Sequence, residues 1–533
     1  PATLSSTGLV LIWDRPLCEK EVIEYQIWQD GELIGVFEGR HTHCEIDDLL
    51  PNTNYQFSLV TIFEDGYKSS KVVLRVQTKS SHRKIIDVSQ PPYSVDVSGA
   101  LVETQCVQRA IDDCPKNGIV LIPKNCIIRV GALGLKSNME LRVDGELRGS
   151  DDPQDYIFNT DNLAECTKYQ GEINEDGLIL TRYEGWEMYC YRSLINIGYL
   201  NPVARDSNVC ENIRISGTGK IVGAGNSLGE GMKVIYADSI KYPKYVSDNI
   251  PGRRVRGRLV NVIQAKNVHL TGVSFENSPC WTIHLIYSDT VTINGINIDS
   301  QGIDNGDGID PDSCQNMLIF DTTFNTGDDC IAIKSGKNPE GNIINLPSRN
   351  INIFDLNMFG GHGMAIGSEQ SGGIENITIR DCTIQNTDHG IELKASRERG
   401  GFIRNISIEN CKIDSFFAHE VKYNADGIGA RKPPVIENLK LRNLEITGAR
   451  RSVDVMGHPI DSKDKAIELI GFQDENNQYY INNVLLQNIT IERSTDRFYL
   501  DYCKNVKIQR VVMQKSNLLM ELGERIQNIN IDQ

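Results

Sequence analysis

Beyond residue 210 one hydrophobic–polar pattern keeps returning: NIRISGTGKIVG, NVHLTGVSFENSP, TVTINGINIDS, NMLIFDTTFNTGD, NINIFDLNMFGG, NITIRDCTIQNTD, NISIENCKIDS, NLKLRNLEITG, NVLLQNITIERS and NVKIQRVVMQKS. Every copy reads as a short alternating strand, a bend of one or two residues and a second strand. Most copies open on Asn, and from residue 267 onward the openings fall 22 to 45 residues apart, the longer gaps holding insertions. A single strand–bend–strand unit cannot bury its apolar face alone; stacked coils bury it against the coils above and below. The pattern predicts an all-β chain whose main body, residues 91–533, is a right-handed parallel β-helix. VETQCVQRAIDDCP, residues 102–115, has helical spacing and is expected to cap the N-terminal end.

Residues 1–79 carry a different pattern. GLVLIW, EYQIW, YQFSLVTIF and KVVLRVQT alternate over short runs and are parted by turns such as Asp30-Gly31. This predicts a separate small β-sandwich, followed by a polar linker over 80–90. The run Leu49, Pro51, Thr53, Tyr55, with Trp13 upstream, resembles the L-x-P-x-T-x-Y corner and core Trp of fibronectin type III domains.

Composition narrows the class. No stretch of about 18 apolar residues occurs, so no membrane span is expected. No charged–apolar–small leader opens the chain, which predicts a cytoplasmic protein, or a secreted one if a leader was removed. The 14 cysteines are scattered without a CxxC pair, against a zinc site or a disulfide scaffold. Cys280, Cys330, Cys382 and Cys411 sit in apolar runs and read as buried thiols. A net charge of −16 disfavours nucleic acid and anionic membranes as partners. A polyanionic substrate stays open if a local basic patch faces it.

The candidate chemistry lies where successive repeats end. QGIDNGDGIDPD closes one repeat with Asp307, and NTGDDC closes the next with Asp328 and Asp329. Asp307 and Asp328 are 21 positions apart, close to one coil, which would stack them about 4.8 Å apart along the axis. FGGHGMAIGS then brings His362, and HGIELKASRERGG brings Lys394 with Arg397 and Arg399 nearby. Four rungs are thus expected to present Asp, Asp-Asp, His and Lys at one bend. Crowded carboxylates cannot all ionise comfortably, so at least one pKa rises. An acid beside an ionised base is the requirement of glycoside hydrolysis. A calcium loop is not expected, because the D-x-[DN]-x-[DN]-G spacing is missing; no metal and no cofactor is predicted.

NGDGID, GDDCIAIKSG, GHGMAIGSEQSGG and IELK resemble, in order and spacing, the four signatures of family 28 glycoside hydrolases, the polygalacturonases. The likeness runs from about residue 90 to the C-terminus. It implies hydrolysis of pectic polysaccharide or oligogalacturonide, with Asp328 as general acid, Asp307 and Asp329 activating water, and His362 holding the acid. It implies substrate contacts from Lys394, from Asn305 in the NGD motif and from Tyr423. The family's Arg of R-I-K is Glu392 here, and Arg397, Arg399 or the GRRVRGR run at 252–258 is expected to supply the missing cation, with Glu392 paired to Lys394, Arg397 or Arg399. The alternatives are a substituted-galacturonan or rhamnogalacturonan hydrolase, a lyase on the same fold and a non-catalytic carbohydrate-binding β-helix. Two insertions, an aromatic one around 155–192 and a basic one around 236–258, are expected to close one end of the groove and make the enzyme exo-acting.

Overall fold

Strands of the main body stack rung on rung, and each coil supplies three of them. In one coil Asp289–Asn294 leads through Gly295 to Asn297–Asp299, and Ile309–Asp312 completes the circuit. The next circuit pairs with it in parallel: Val291 faces Met317, Ile298 faces Phe324 and Ile309 faces Ile331. The first two strands of such coils belong to a 22-stranded sheet, and the third strands form a 12-stranded parallel sheet. The fold is a parallel β-helix. The third strand is absent from the two-strand repeat visible in the sequence because it is short and follows turns of variable length.

Ile, Val and Leu at alternate positions explain why these runs coil. Along the 12-stranded sheet Ile283, Leu285, Ile309, Ile331, Ile333, Met364, Ile366, Ile391 and Leu393 all point into one continuous core. The recurrent Asn has its own cause. Asn316, Asn350, Asn376, Asn405, Asn438 and Asn483 hold φ between 57° and 59°, a left-handed bend that short polar side chains tolerate. Their amides hydrogen-bond rung to rung at 2.8–3.1 Å.

This computed structural model describes residues 3–16, 18, 20–162, 166–421, 426–448, 465–474, 477–492, 497–513 and 520–532. The chain divides into two units, Pro1–Lys84 and Ile85–Gln533. In the first, a two-stranded antiparallel sheet, Leu9–Ile12 with His43–Ile46, shares a core with a four-stranded sheet through Leu11, Ile27, Cys44 and Phe57. In the second, the β-helix begins earlier than residue 91: Ile85–Asp87, assigned to the linker on sequence, pairs in parallel with Gly118–Ile122. The helix Thr104–Asp113 buries Val107, Ala110 and Ile111 against the first coil. Gln108 exchanges two hydrogen bonds, 2.8 and 3.0 Å, with Gly134 on the first strand of the 12-stranded sheet, satisfying an edge that has no preceding rung. All 14 cysteines are free thiols. Among the described residues no helix is long and apolar enough to cross a membrane.

Candidate active site

The outward face of the 12-stranded sheet carries the chemistry, because period-2 alternation turns every second side chain away from the core. In register, Ala365, Glu392, Phe417 and Glu468 form one outward row, and Gly367, Lys394 and His419 form the next. Asp307, Asp328 and His362 come just before their strands, at the bend. There the backbone links the rungs: His362 N donates to Asp328 O at 3.0 Å, and His389 N to His362 O at 3.1 Å. The fourth member of the bend row is therefore His389. Lys394, expected at the bend, lies within the strand Ile391–Ala395 and reaches back to Asp329. The glycines of GGHG permit this crowding: Gly361 has φ 60°, and a Cβ there would meet Asp328 O at 2.1 Å.

These groups line a cavity of about 750 Å³. His362 Nδ1 stands 2.9 Å from Asp328 Oδ1 and 3.5 Å from Asp329 Oδ1. Asn305 donates to Asp328 Oδ2 at 3.3 Å and is itself held by Arg256 at 2.6 Å. Lys394 Nζ donates to both oxygens of Asp329, at 2.9 and 3.0 Å. Burial would raise the Asp328 carboxyl, but His362 and Lys394 outweigh it and hold it far below the usual carboxylate range. Burial works the same way on Asp329, where Lys394 and His362 keep the group ionised. For His362 burial opposes charge, yet Asp328 and Asp329 raise its pKa well above the ordinary imidazole value. Asp307 behaves oppositely. Burial, with Asp310 and Asp328 beside it, raises its carboxyl well above the usual range.

Several of these partners lie inside the quoted motifs but were not singled out as candidates. Lys334 Nζ lies 3.6 Å from Asp307, 3.1 Å from Asp310 and 3.7 Å from Glu369, and 4.5 Å over the Trp281 ring. Asp310, pushed up to about 7 by burial in spite of Lys334, is a second buried acid. Both positions are legible in hindsight, since Lys334 is the outward residue of CIAIKSG and Asp310 that of GDGIDPD. His419 and Glu468 come from rungs without a motif, and no signal in the sequence marks them.

Other expectations need correction. Glu392 does not pair with Lys394, Arg397 or Arg399. Its Oε1 is 2.8 Å from His419 Nε2, and His419 Nδ1 is 2.8 Å from Glu468 Oε1. Arg397 and Arg399 do not line the cavity. Arg399 is buried, 3.5 Å from Asp426, and Arg397 turns to Asp474 at 3.6 Å, because the short helix Arg397–Arg399 carries both past the rim. Tyr423 lies outside the described residues. Of the GRRVRGR run, Arg253 reaches the cavity but is held by Asp248 and Asp304, both at 2.6 Å.

The two insertions build one wall. The hairpin Ile179–Tyr183 and Trp186–Cys190 turns at the buried Glu184, which pairs with Arg254 at 2.8 Å and Lys337 at 3.6 Å. Asp426 ties the same group together: Trp186 Nε1 donates to it at 3.2 Å, Arg254 at 2.5 Å and Lys337 at 3.2 Å. Tyr183 stacks on Trp281, 4.7 Å between rings, with Arg258 over both. A wall pinned by buried ion pairs is costly to open, since separating one partner strands a charge.

Comparison with known proteins bears on this geometry. Residues 205–426, which hold Asp307, Asp328, Asp329, His362 and Lys394, match the model of glycosyl hydrolases family 28. The chain is 25% identical over 445 residues to an exo-poly-alpha-D-galacturonosidase of Dickeya chrysanthemi, covering 73% of this chain and 69% of that one. The fold matches a family 28 exopolygalacturonase of Yersinia enterocolitica with a TM-score of 0.78 at 21% identity, over 99% of this chain and 97% of that one. It also matches a hyperthermoactive exopolygalacturonase of Thermotoga maritima with a TM-score of 0.63 at 26% identity, over 81% and 91%. The coils that carry the clustered carboxylates are similar to glycosyl hydrolases family 28, and the β-helix shares its fold with exopolygalacturonases of that family.

Proposed function

We propose that the protein is an exo-acting, inverting hydrolase of α-galacturonosyl linkages in pectic galacturonan. The observation that carries the reading is the meeting of Asp307, Asp328 and Asp329 in a cavity to which the basic insertion contributes Asp248 and Arg253. The relatives named as exo-acting galacturonosidases support the same substrate class and the same mode.

In the resting site one proton sits between Asp328 and His362, on the imidazole side. A sugar seated over the pair removes water, and a neutral acid–imidazole pair is then favoured over an ion pair. The proton crosses the 2.9 Å gap to Asp328 and passes to the leaving glycosidic oxygen. Asp329, kept ionised by Lys394, takes the proton of the attacking water as its oxygen bonds to the anomeric carbon. Asp307, on the neighbouring rung and lining the same cavity, shares in orienting that water. Asn305 completes the contacts to substrate, while Lys394 serves by holding Asp329 ionised.

Two measurements on polygalacturonate test the reading. Proton NMR of the first product should show the β-anomer, and chromatography should show one small product from the outset. Retention of configuration would overturn the mechanism, and an early ladder of oligomers would overturn exo action. Asp328, Asp329 and His362 bring ligand atoms within 4.8 Å of one another, close enough to hold a cation. A chelator should leave the rate unchanged; loss of activity would assign these groups to a metal. The buried free thiols support a reducing, cytoplasmic setting.

A further inference from the structure

The cavity continues past Lys394 along Glu392, Phe417, His419 and Glu468. Galacturonate carries a carboxylate on every unit, so a subsite for it needs an uncommitted cation. Among the described residues of this stretch each cation already has a carboxylate. Lys394 donates to both oxygens of Asp329. His419 is clamped at 2.8 Å on each side between Glu392 and Glu468. Lys465 lies 3.2 Å from Glu468. Glu392 is 4% exposed and Glu468 5%, so these carboxylates belong to the wall and are not free to swing into solvent.

The same stretch offers what an uncharged sugar needs. The buried Phe417 ring stacks on that of His419, 5.5 Å apart at 17°, and so fixes the imidazole at the edge of the cavity. The carboxylates beside it accept hydrogen bonds from hydroxyl groups. A second acidic unit placed here would meet Glu392 at close range in a buried setting, where like charges repel strongly.

We propose that the subsite formed by Glu392, Phe417, His419 and Glu468 selects an uncharged, hydroxyl-bearing pyranose unit, so that the bond cleaved joins galacturonate to a non-acidic residue. This rests on the galacturonosyl hydrolase reading above. Two sources supply such a unit: a methyl-esterified galacturonate and a neutral sugar of a substituted or alternating pectin. Glu392 is the specificity-determining residue.

The experiment compares kcat/KM of the wild-type protein on three defined substrates: α-1,4-digalacturonate, its derivative methyl-esterified on the reducing-end unit, and galacturonosyl-α-1,2-rhamnose. One uncharged-unit substrate should exceed digalacturonate at least tenfold, and which one does identifies the source. Glu392→Arg should reverse the order, and Glu392→Gln, a smaller change in a buried site, should narrow it. Digalacturonate cleaved as fast as or faster than both others overturns the subsite proposal and leaves the hydrolase reading intact. Cleavage of none of the three overturns the hydrolase reading and the proposal with it. The wild-type comparison does not depend on either variant folding.

Discussion

His362 and His419 stand two rungs of backbone register apart on the same wall, each between carboxylates, yet the two clusters differ in kind. His362 faces Asp328 at 2.9 Å, Asp329 at 3.5 Å and Asp388 at 3.6 Å, an uneven set at the mouth of the bend. His419 makes two equal 2.8 Å contacts with Glu392 and Glu468 inside the strand Phe416–Glu420. Between them His389 is pushed down to about 4 by burial, which outweighs the pull of Glu392. One residue type thus occupies three electrostatic states on neighbouring rungs. The uneven cluster leaves a proton that can move; the even one locks it. Reaction chemistry follows the first geometry and recognition follows the second.

The largest effect that could break this contrast comes from the acid itself. Asp328→Asn should lower kcat about a thousandfold or more, since an amide cannot relay the proton. His419→Gln should cost less than about tenfold in kcat on the same substrate, with its effect expressed in KM. Steady-state kinetics on both variants decide it. If Asp328→Asn keeps more than about a tenth of the rate, or if the two losses are equal, proton mobility does not separate the clusters.

A second test sharpens the roles within the catalytic cluster. Asp329 is held ionised against burial by Lys394, so Lys394→Met should raise its pKa through the loss of so close a cation. A base works only when ionised. The acid limb of the kcat/KM profile should therefore move to higher pH, and the variant should fail first in mildly acidic buffer. An unmoved limb would assign the base elsewhere.

The locked cluster predicts a pH-dependent stability. Burial lowers the His419 pKa, but Glu392 and Glu468 prevail and raise it to about 9. A raised imidazole contributes fully below its unfolded value near 6.5, and the contribution is lost as pH climbs through 9. The difference from the ordinary value is on the order of 3 kcal/mol. Denaturant unfolding of wild type and His419→Gln should therefore converge between pH 6 and pH 10. Glu392 has the opposite sign: held at about 2 by His389 and His419 in spite of burial, it loses its contribution only in strong acid. Curves that stay parallel from pH 6 to 10 would mean that His419 is not charged in the native protein.

How much of this was legible depended on how local the signal was. The β-helix followed from alternation and from Asn at the head of repeats, and both have backbone causes at each rung. Asp307, Asp328, Asp329 and His362 sit in short motifs beside glycines that the bend requires, so their convergence could be read from spacing. Lys394 was placed on the right rung but at the wrong point of it, because alternation within IELK does not show how far a long side chain reaches back. Glu392 was recognised as foreign, yet its partner was sought among sequence neighbours. The partner lies 27 positions on, at His419, brought alongside only by the register of parallel strands. The two insertions were expected to close the groove; the ion pairs that hold them join Glu184, Arg254, Lys337 and Asp426 across distant loops, and no local pattern encodes those pairs.

The smallest expected effect bears on that same gap between chain proximity and spatial proximity. Arg397 lies three residues from Lys394 and, from sequence, looked like a substitute for the missing cation at the Glu392 position. Its guanidinium instead faces Asp474 at 3.6 Å, with both side chains about a quarter exposed. An ion pair of that kind contributes about 0–1 kcal/mol and is screened by salt. Arg397→Ala should therefore leave kcat/KM on galacturonate substrates within about twofold and the unfolding midpoint nearly unchanged. A rise in KM of tenfold or more, about 1.4 kcal/mol of lost binding, would show that Arg397 leaves Asp474 when substrate arrives. The wall beyond Lys394 would then hold a mobile cation, and the boundary between the reacting cluster and the recognition cluster would have to be redrawn to include it.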